Sequence, residues 1–216
     1  MDSANGTGAA TAARRGACRL DCLVVGVGGQ GAVLASRLVA AASMARGAFV
    51  RTAETIGMSQ RGGSVASHVR VAPDAACLPS SLIPARGADL VLAFEPGEAL
   101  RAFDHLAPAG VVVCSTRPVV PSAAATSGYD GSAQLAWLRG RLGSDRLACV
   151  DPGVLEGAGL SPRSLNVLLL GVAIGMGALP FGADEMEAAL RQRLKPRLVD
   201  MNLRALELGQ GLARRG

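Results

Sequence analysis

Three observations predict an α/β domain built on a largely parallel sheet. From Leu20 onward, short apolar runs alternate with longer amphipathic stretches, which is the rhythm of strands linked by helices. The first run passes into the first amphipathic stretch through a glycine-rich turn, Gly26-Val27-Gly28-Gly29-Gln30-Gly31. The chain has 216 residues, half of them apolar and only 18% charged, enough to bury one substantial core. A three-layer, Rossmann-like domain spanning residues 20–213 is the expected arrangement.

The expected strands cover residues 20–26, 48–53, 64–71, 89–94, 111–115 and 147–150, and the expected helices 31–45, 96–103, 132–142, 162–176, 183–194 and 196–213. Pro162 and Pro196 suit first-turn positions, and Asp184, Glu185 and Glu187 crowd a helix start, where carboxylates complement the macrodipole. Residues 117–131, rich in Pro, Ser, Ala and Gly, read as a long surface loop. Residues 1–19 are small, polar and without an apolar signal core, so they read as a disordered extension. The most apolar stretch, 165–179, is shorter than the ~20 residues a bilayer requires. It reads as a helix buried in this domain or, through Gly171, Gly175 and Gly177, packed closely against a partner.

The formal charge of +5 sits mostly in the tails, where Arg14, Arg15, Arg19, Arg214 and Arg215 outweigh Asp2. A nucleic-acid footprint needs a basic stripe on folded structure with stacking aromatics, and one Trp, one Tyr and four Phe do not supply it. The five cysteines show no paired spacing and no ligand-like relation to the two histidines. The chain therefore offers no metal or iron–sulfur site of its own. Cys22, Cys114 and Cys149 fall in apolar runs and read as buried free thiols of a reducing cytoplasm.

Two segments carry candidate chemistry. The turn formed by Gly26, Gly28, Gly29, Gln30 and Gly31 satisfies G-x-G-x-x-G between a strand and a helix, where backbone N–H groups at a positive helix end can seat an anion. Glu54 lies 23 residues beyond Gly31. One reading makes this a dinucleotide site with Glu54 on a ribose hydroxyl, and the other lets the glycines only bring helix and strand together. The second segment runs from Glu54 to Arg70 and includes Met58, Ser59, Gln60, Arg61, Gly62, Gly63 and Ser64. Gly57, Gly62 and Gly63 make a loop suited to presenting side chains. In the following strand, alternation puts Ser64, Ala66, His68 and Arg70 on one polar face able to line a cleft or interface. His68 fits a hydrogen-bonded structural histidine as well as a catalytic one.

These two segments, together with Asp89-Leu90-Val91-Leu92-Ala93-Phe94-Glu95, Asn166 with Leu170-Gly171, and Lys195-Pro196 followed by Asn202 and Gly209, resemble the gamma-type subunit or domain of thiamine-diphosphate-dependent 2-oxoacid:ferredoxin oxidoreductases. Pyruvate- and 2-oxoglutarate-type members tend to read Gly-Pro-Glu-x-Arg-Gly at the second segment. Here Gly57-Met58-Ser59-Gln60-Arg61-Gly62-Gly63-Ser64-Val65 looks like the small subunit of indolepyruvate:ferredoxin oxidoreductase. The resemblance implies a heteromeric complex whose large subunit carries thiamine diphosphate with Mg and [4Fe-4S] clusters. It implies coenzyme A as co-substrate, ferredoxin as electron acceptor, and no cofactor on this chain alone. It also implies that the 57–64 loop sits near the active site or the coenzyme A side, with no catalytic residue in this chain. A pyruvate or branched-chain 2-oxoacid subunit and a free-standing NAD-binding enzyme are the alternatives.

Overall fold

A computed structural model describes residues 19–57, 63–78, 80–119 and 128–213. Among these residues, six strands form one sheet in the order β2-β3-β1-β4-β5-β6. The strands are β1 (Leu20–Val27), β2 (Phe49–Ile56), β3 (Ser64–Ala72), β4 (Ala88–Ala93), β5 (Leu106–Ser115) and β6 (Leu147–Val150). β1 pairs in parallel with β4, β4 with β5 and β5 with β6, whereas β3 pairs antiparallel with both β1 and β2. Only β3 therefore runs against the rest, and the sheet is largely parallel, as expected. The helices are α1 (Ala32–Ala45), α2 (Pro96–Arg101), α3 (Ser132–Arg146), α4 (Gly153–Gly157), α5 (Leu165–Gly175), α6 (Ala183–Arg193) and α7 (Pro196–Ala213).

β1 is buried along its whole length, which is why it reads as a near-continuous apolar run. Cys22 and Val24 face one side and pack with Leu38 of α1, Leu168 of α5 and Leu206 of α7. Leu23 and Val25 face the other and pack with Ala99 of α2 and Leu138 of α3. Helices thus cover both faces, giving the three layers. The exception in β1 is Asp21, buried directly opposite Arg70 on β3. The Arg70 guanidinium donates to both Asp21 oxygens, at 2.7 and 3.1 Å, and its Nη1 donates to the carbonyls of Ser80 and Leu82. This bidentate pair gives the buried carboxylate its counter-charge and fixes the β1–β3 register.

Several expected bounds shift: α2 ends at Arg101, α3 runs on to Arg146, and α4 was not among the expected helices. β2 runs on to Ile56, because pairing with β3 continues through Glu54↔Ser67 and Ile56↔Val65. β5 starts at Leu106, across Pro108 and Gly110, with an irregular register between Ala88 and Leu90. The stretch 162–176 divides into a 3₁₀ turn, Pro162–Ser164, and α5. No helix of the described residues is long and apolar enough to cross a membrane.

α5 packs inside the domain, buried from Asn166 to Ala173. Its crossing with α7 is close: a Cβ on Gly171 would lie 2.3 Å from the Leu206 carbonyl oxygen, and one on Gly209 would lie 2.2 Å from that of Leu168. Two family-like glycines are therefore the contact point of two helices. Gly209→Ala should destabilise the protein by about 1–3 kcal/mol through overpacking. Gly211→Ala, with open space around the added methyl, should leave stability equal or higher. Urea unfolding of both variants checks the contrast.

Candidate functional site

The carboxyl ends of β1 and β4 flank the point where the chain's connections diverge, since β1 leads to β2 and β3 on one side and β4 leads to β5 and β6 on the other. In open α/β sheets this crevice is where ligands bind. Here Gln30 spans it. Its Oε1 accepts the Val27 N–H at 2.7 Å and its Nε2 donates to the Phe94 carbonyl at 3.2 Å. Gly26 is glycine because a Cβ there would lie 2.9 Å from both Gln30 Oε1 and Phe94 Cβ. Gly31 takes φ 92°, and a Cβ there would press on the Asn166 carboxamide at 3.2 Å. The Gly28 N–H is also committed, donating to the Gly63 carbonyl at 3.0 Å. The glycine turn is thus closed upon itself, on α5 and on the second segment.

Glu54 does not take up the dinucleotide role. β3 lies between β2 and β1, so Glu54 is two strand spacings, roughly 10 Å, from β1 instead of beside it. It shares a cross-strand row with Ser67 and Val24, so its side chain leaves the sheet on the α1 face.

On the opposite face, over β1 and β3, a cleft of about 370 Å³ opens between the sheet, α2 and residues 82–83. Ser64, His68, Arg101 and His105 line it above a floor that includes Leu23, Val25 and Ala66. Both of the chain's histidines meet here edge to face, their ring centroids 6.2 Å apart. His68 Nδ1 accepts the Ile83 N–H at 3.2 Å, leaving Nε2 to carry the proton of the neutral ring. Burial, then His105, then Arg70 push its pKa below the usual 6.5. Arg70, on the same face, is buried against Asp21 and serves the sheet.

The polar alternation of Ser64, His68 and Arg70 was therefore legible, but only Ser64 and His68 reach the cleft. Gly57 and Gly63 close the base of the loop, the Gly57 N–H donating to the Ser64 carbonyl at 2.8 Å. Met58, Ser59, Gln60, Arg61 and Gly62 lie outside the described residues, as do residues 1–18 of the expected extension. The sequence pattern did not single out Glu98, Arg101 and His105, which line this cleft, or Tyr129, which donates to Glu95 beyond the carboxyl end of β4. One signal was available: Glu95 followed at three residues by Glu98, with Pro96 between, is a helix-start pattern, and Glu95 Oε1 does accept the Glu98 N–H.

The described residues do not suit an iron–sulfur or metal centre. Cys22 and Cys114 are buried on opposite faces of the sheet, and no three His, Cys, Asp or Glu side chains among the described residues converge. Burial pushes the Cys22 thiol up to about 12 and Cys114 in the same direction.

Gln30→Ala should cost about 1–3 kcal/mol, because it strands the Val27 N–H and the Phe94 carbonyl in a closed crevice. Urea unfolding reads it. His68 sets a pH dependence. Its folded pKa is depressed, so the unfolded chain takes up the proton first. Stability is then complete above pH 6.5 and is lost as pH falls through the folded value. The Tm should drop as the pH is lowered below 6.5, and His68→Gln should flatten that slope. An unchanged slope in His68→Gln would disprove the assignment.

The comparisons with known proteins agree with this geometry. Residues 21–211 match the family model described as pyruvate ferredoxin/flavodoxin oxidoreductase. The chain is 40% identical over 197 residues to a protein of Archaeoglobus fulgidus named indolepyruvate oxidoreductase subunit IorB, covering 90% of this chain and 96% of that one. It is 34% identical to the protein of the same name from Methanothermobacter thermautotrophicus, over 88% of this chain and 95% of that one. In structure it is similar to the gamma subunit of a keto/oxoacid ferredoxin oxidoreductase from Geobacter sulfurreducens, with a TM-score of 0.65 at 19% identity, covering 92% of this chain and all of that one. It has the same TM-score, at 18% identity, against a 2-oxoglutarate:ferredoxin oxidoreductase of Magnetococcus marinus, covering 92% of this chain and 32% of that one. The chain belongs to the pyruvate ferredoxin/flavodoxin oxidoreductase family.

Proposed function

We propose that this chain is the small, cofactor-free subunit of a heteromeric oxidoreductase that oxidatively decarboxylates arylpyruvates such as indolepyruvate. The observation that carries the reading is the 40% identity to an indolepyruvate oxidoreductase subunit along nearly the whole of both chains. The reaction converts the 2-oxoacid, coenzyme A and oxidised ferredoxin into acyl-CoA, carbon dioxide and reduced ferredoxin. Thiamine diphosphate with Mg supplies the electron sink for decarboxylation, and [4Fe-4S] clusters carry single electrons away. These groups belong to the large subunit. Two features of this chain support that division: the described cysteines do not converge as a cluster would need, Cys22 lying on one face of the sheet and the neighbouring Cys114 and half-buried Cys149 on the other with Cys77 exposed, and the switch-point crevice is spanned by Gln30. The same crevice, with Glu54 displaced by β3, speaks against a free-standing NAD enzyme. The cytoplasm is the compartment that suits free thiols and a low-potential acceptor.

The part this chain plays at the active site is assigned to the 57–64 loop. The substrates are anionic, and a guanidinium on a glycine-flanked loop offers them a planar, bidentate donor. Arg61 is the residue that fits. The test is co-expression with the large subunit and assay of a panel of 2-oxoacids with a viologen acceptor. Arylpyruvates should be turned over best, whereas a preference for pyruvate or branched-chain substrates would move the chain to that branch of the family. Arg61→Lys should lower kcat/KM by the equivalent of about 1.5–3 kcal/mol with assembly intact, because the charge survives but the fork does not. Wild-type kinetics for Arg61→Ala in an assembled complex would exclude the loop from the site.

A further inference from the structure

The turn from β4 into α2 holds two carboxylates, Glu95 and Glu98, each 3% exposed. Burial of ionised carboxylates is costly unless each finds charge or hydrogen-bond partners. Glu95 is satisfied locally, accepting the Glu98 N–H at 2.5 Å and the Tyr129 hydroxyl at 2.7 Å. Glu98 reaches further. One oxygen is ion-paired with Arg101, whose side chain is 70% exposed, and the other accepts the Ser64 hydroxyl at 2.5 Å. Ser64 is the first residue of β3 and lies opposite Val27, where β1 enters the glycine turn.

Among the described residues, three hydrogen bonds tie the base of the 57–64 loop. The Gly57 N–H to the Ser64 carbonyl closes the loop on itself, and the Gly28 N–H to the Gly63 carbonyl binds it to the glycine turn. Both are backbone bonds, and neither touches a helix. The bond from Ser64 to Glu98 joins the loop to α2 across the cleft. We infer that Glu98 is a positioning residue: through Ser64 it holds the base of the 57–64 loop, formed by Gly57, Gly63 and Ser64, against α2. The inference rests on the reading that this loop meets the anionic substrate at the partner's active site. A segment whose base is fixed has less ordering entropy to lose on binding, so loosening the base weakens substrate capture more than it slows the chemical step.

The test uses the assembled complex carrying Ser64→Ala, Glu98→Asp or Glu98→Gln. The readouts are steady-state kinetics with an arylpyruvate and viologen, together with hydrogen exchange at the Gly57 and Gly28 amides. Ser64→Ala loses the tie and Glu98→Asp falls a methylene short. Each should raise the KM for the 2-oxoacid about 5–20-fold, with kcat changed less than about threefold, and should speed exchange at both amides. Glu98→Gln keeps an acceptor for Ser64 and should recover most of the KM. Ser64→Ala with wild-type KM and wild-type exchange overturns the inference, and this small truncation decides the matter even if Glu98→Asp does not assemble. Arg61→Ala separates the two readings. Fast exchange in Ser64→Ala beside wild-type kinetics for Arg61→Ala would remove the loop from the active site while leaving the hold of Glu98 on it. Slow exchange in Ser64→Ala beside impaired Arg61→Ala would do the reverse.

Discussion

The buried pair of Asp21 and Arg70 is the interaction on which the rest of this structure depends. A one-residue slip of β3 against β1 would exchange the faces of every side chain on β3. Val69 and Val71 would leave the α1 core, and His68 would leave the cleft. A carboxylate and a guanidinium facing each other across the two strands, with two further carbonyls on the guanidinium, make that slip expensive. With the register held, Ser64 comes to rest opposite Val27 and within reach of Glu98. The glycine turn, the base of the 57–64 loop and the start of α2 thus share one corner of the sheet because a salt bridge at the other end of β3 holds it there.

The same strand speaks against a dinucleotide site at the G-x-G-x-x-G turn of this Rossmann-like layout. Inserting β3 between β1 and β2 moves the acidic residue of β2 away from the turn, and Gln30 bonds to both walls of the crevice that a pyrophosphate would enter. The glycines keep a physical reason of their own. Gly26 makes room for Gln30, and Gly31 adopts a left-handed conformation against Asn166. Asn166, Gly171 and Gly209, which contributed to the family resemblance, likewise prove to be packing residues. They join α5 to the glycine turn and to α7.

What remains for function is surface. The cleft holds two imidazoles and an exposed Arg101 over an apolar floor, and its rim continues into Ser64. This is the organisation that the proposed function requires, in which the subunit contributes shape and charge and its partner holds the reacting groups. That division is consistent with described cysteines that do not converge on a common site.

The fold class was legible in the sequence because its signals are local: apolar runs of strand length, amphipathic stretches between them, and a glycine turn at their first junction. The glycine turn and the polar alternation of Ser64, His68 and Arg70 were legible for the same reason. Local pattern could not say that β3 pairs between β1 and β2, and that pairing decides the fate of Glu54. Nor could it separate Arg70 from His68, since both sit on one polar face and only the distant Asp21 makes one of them structural. Glu98 was legible as part of a helix start but not as the partner of Ser64, for a related reason. Its meaning lies in Ser64, 34 residues earlier in the chain. Local pattern was enough for the order and type of most elements and for the family resemblance. Only the tertiary structure decided which side chains meet, because a hydrogen bond or an ion pair depends on a few ångströms in space and not on distance along the chain.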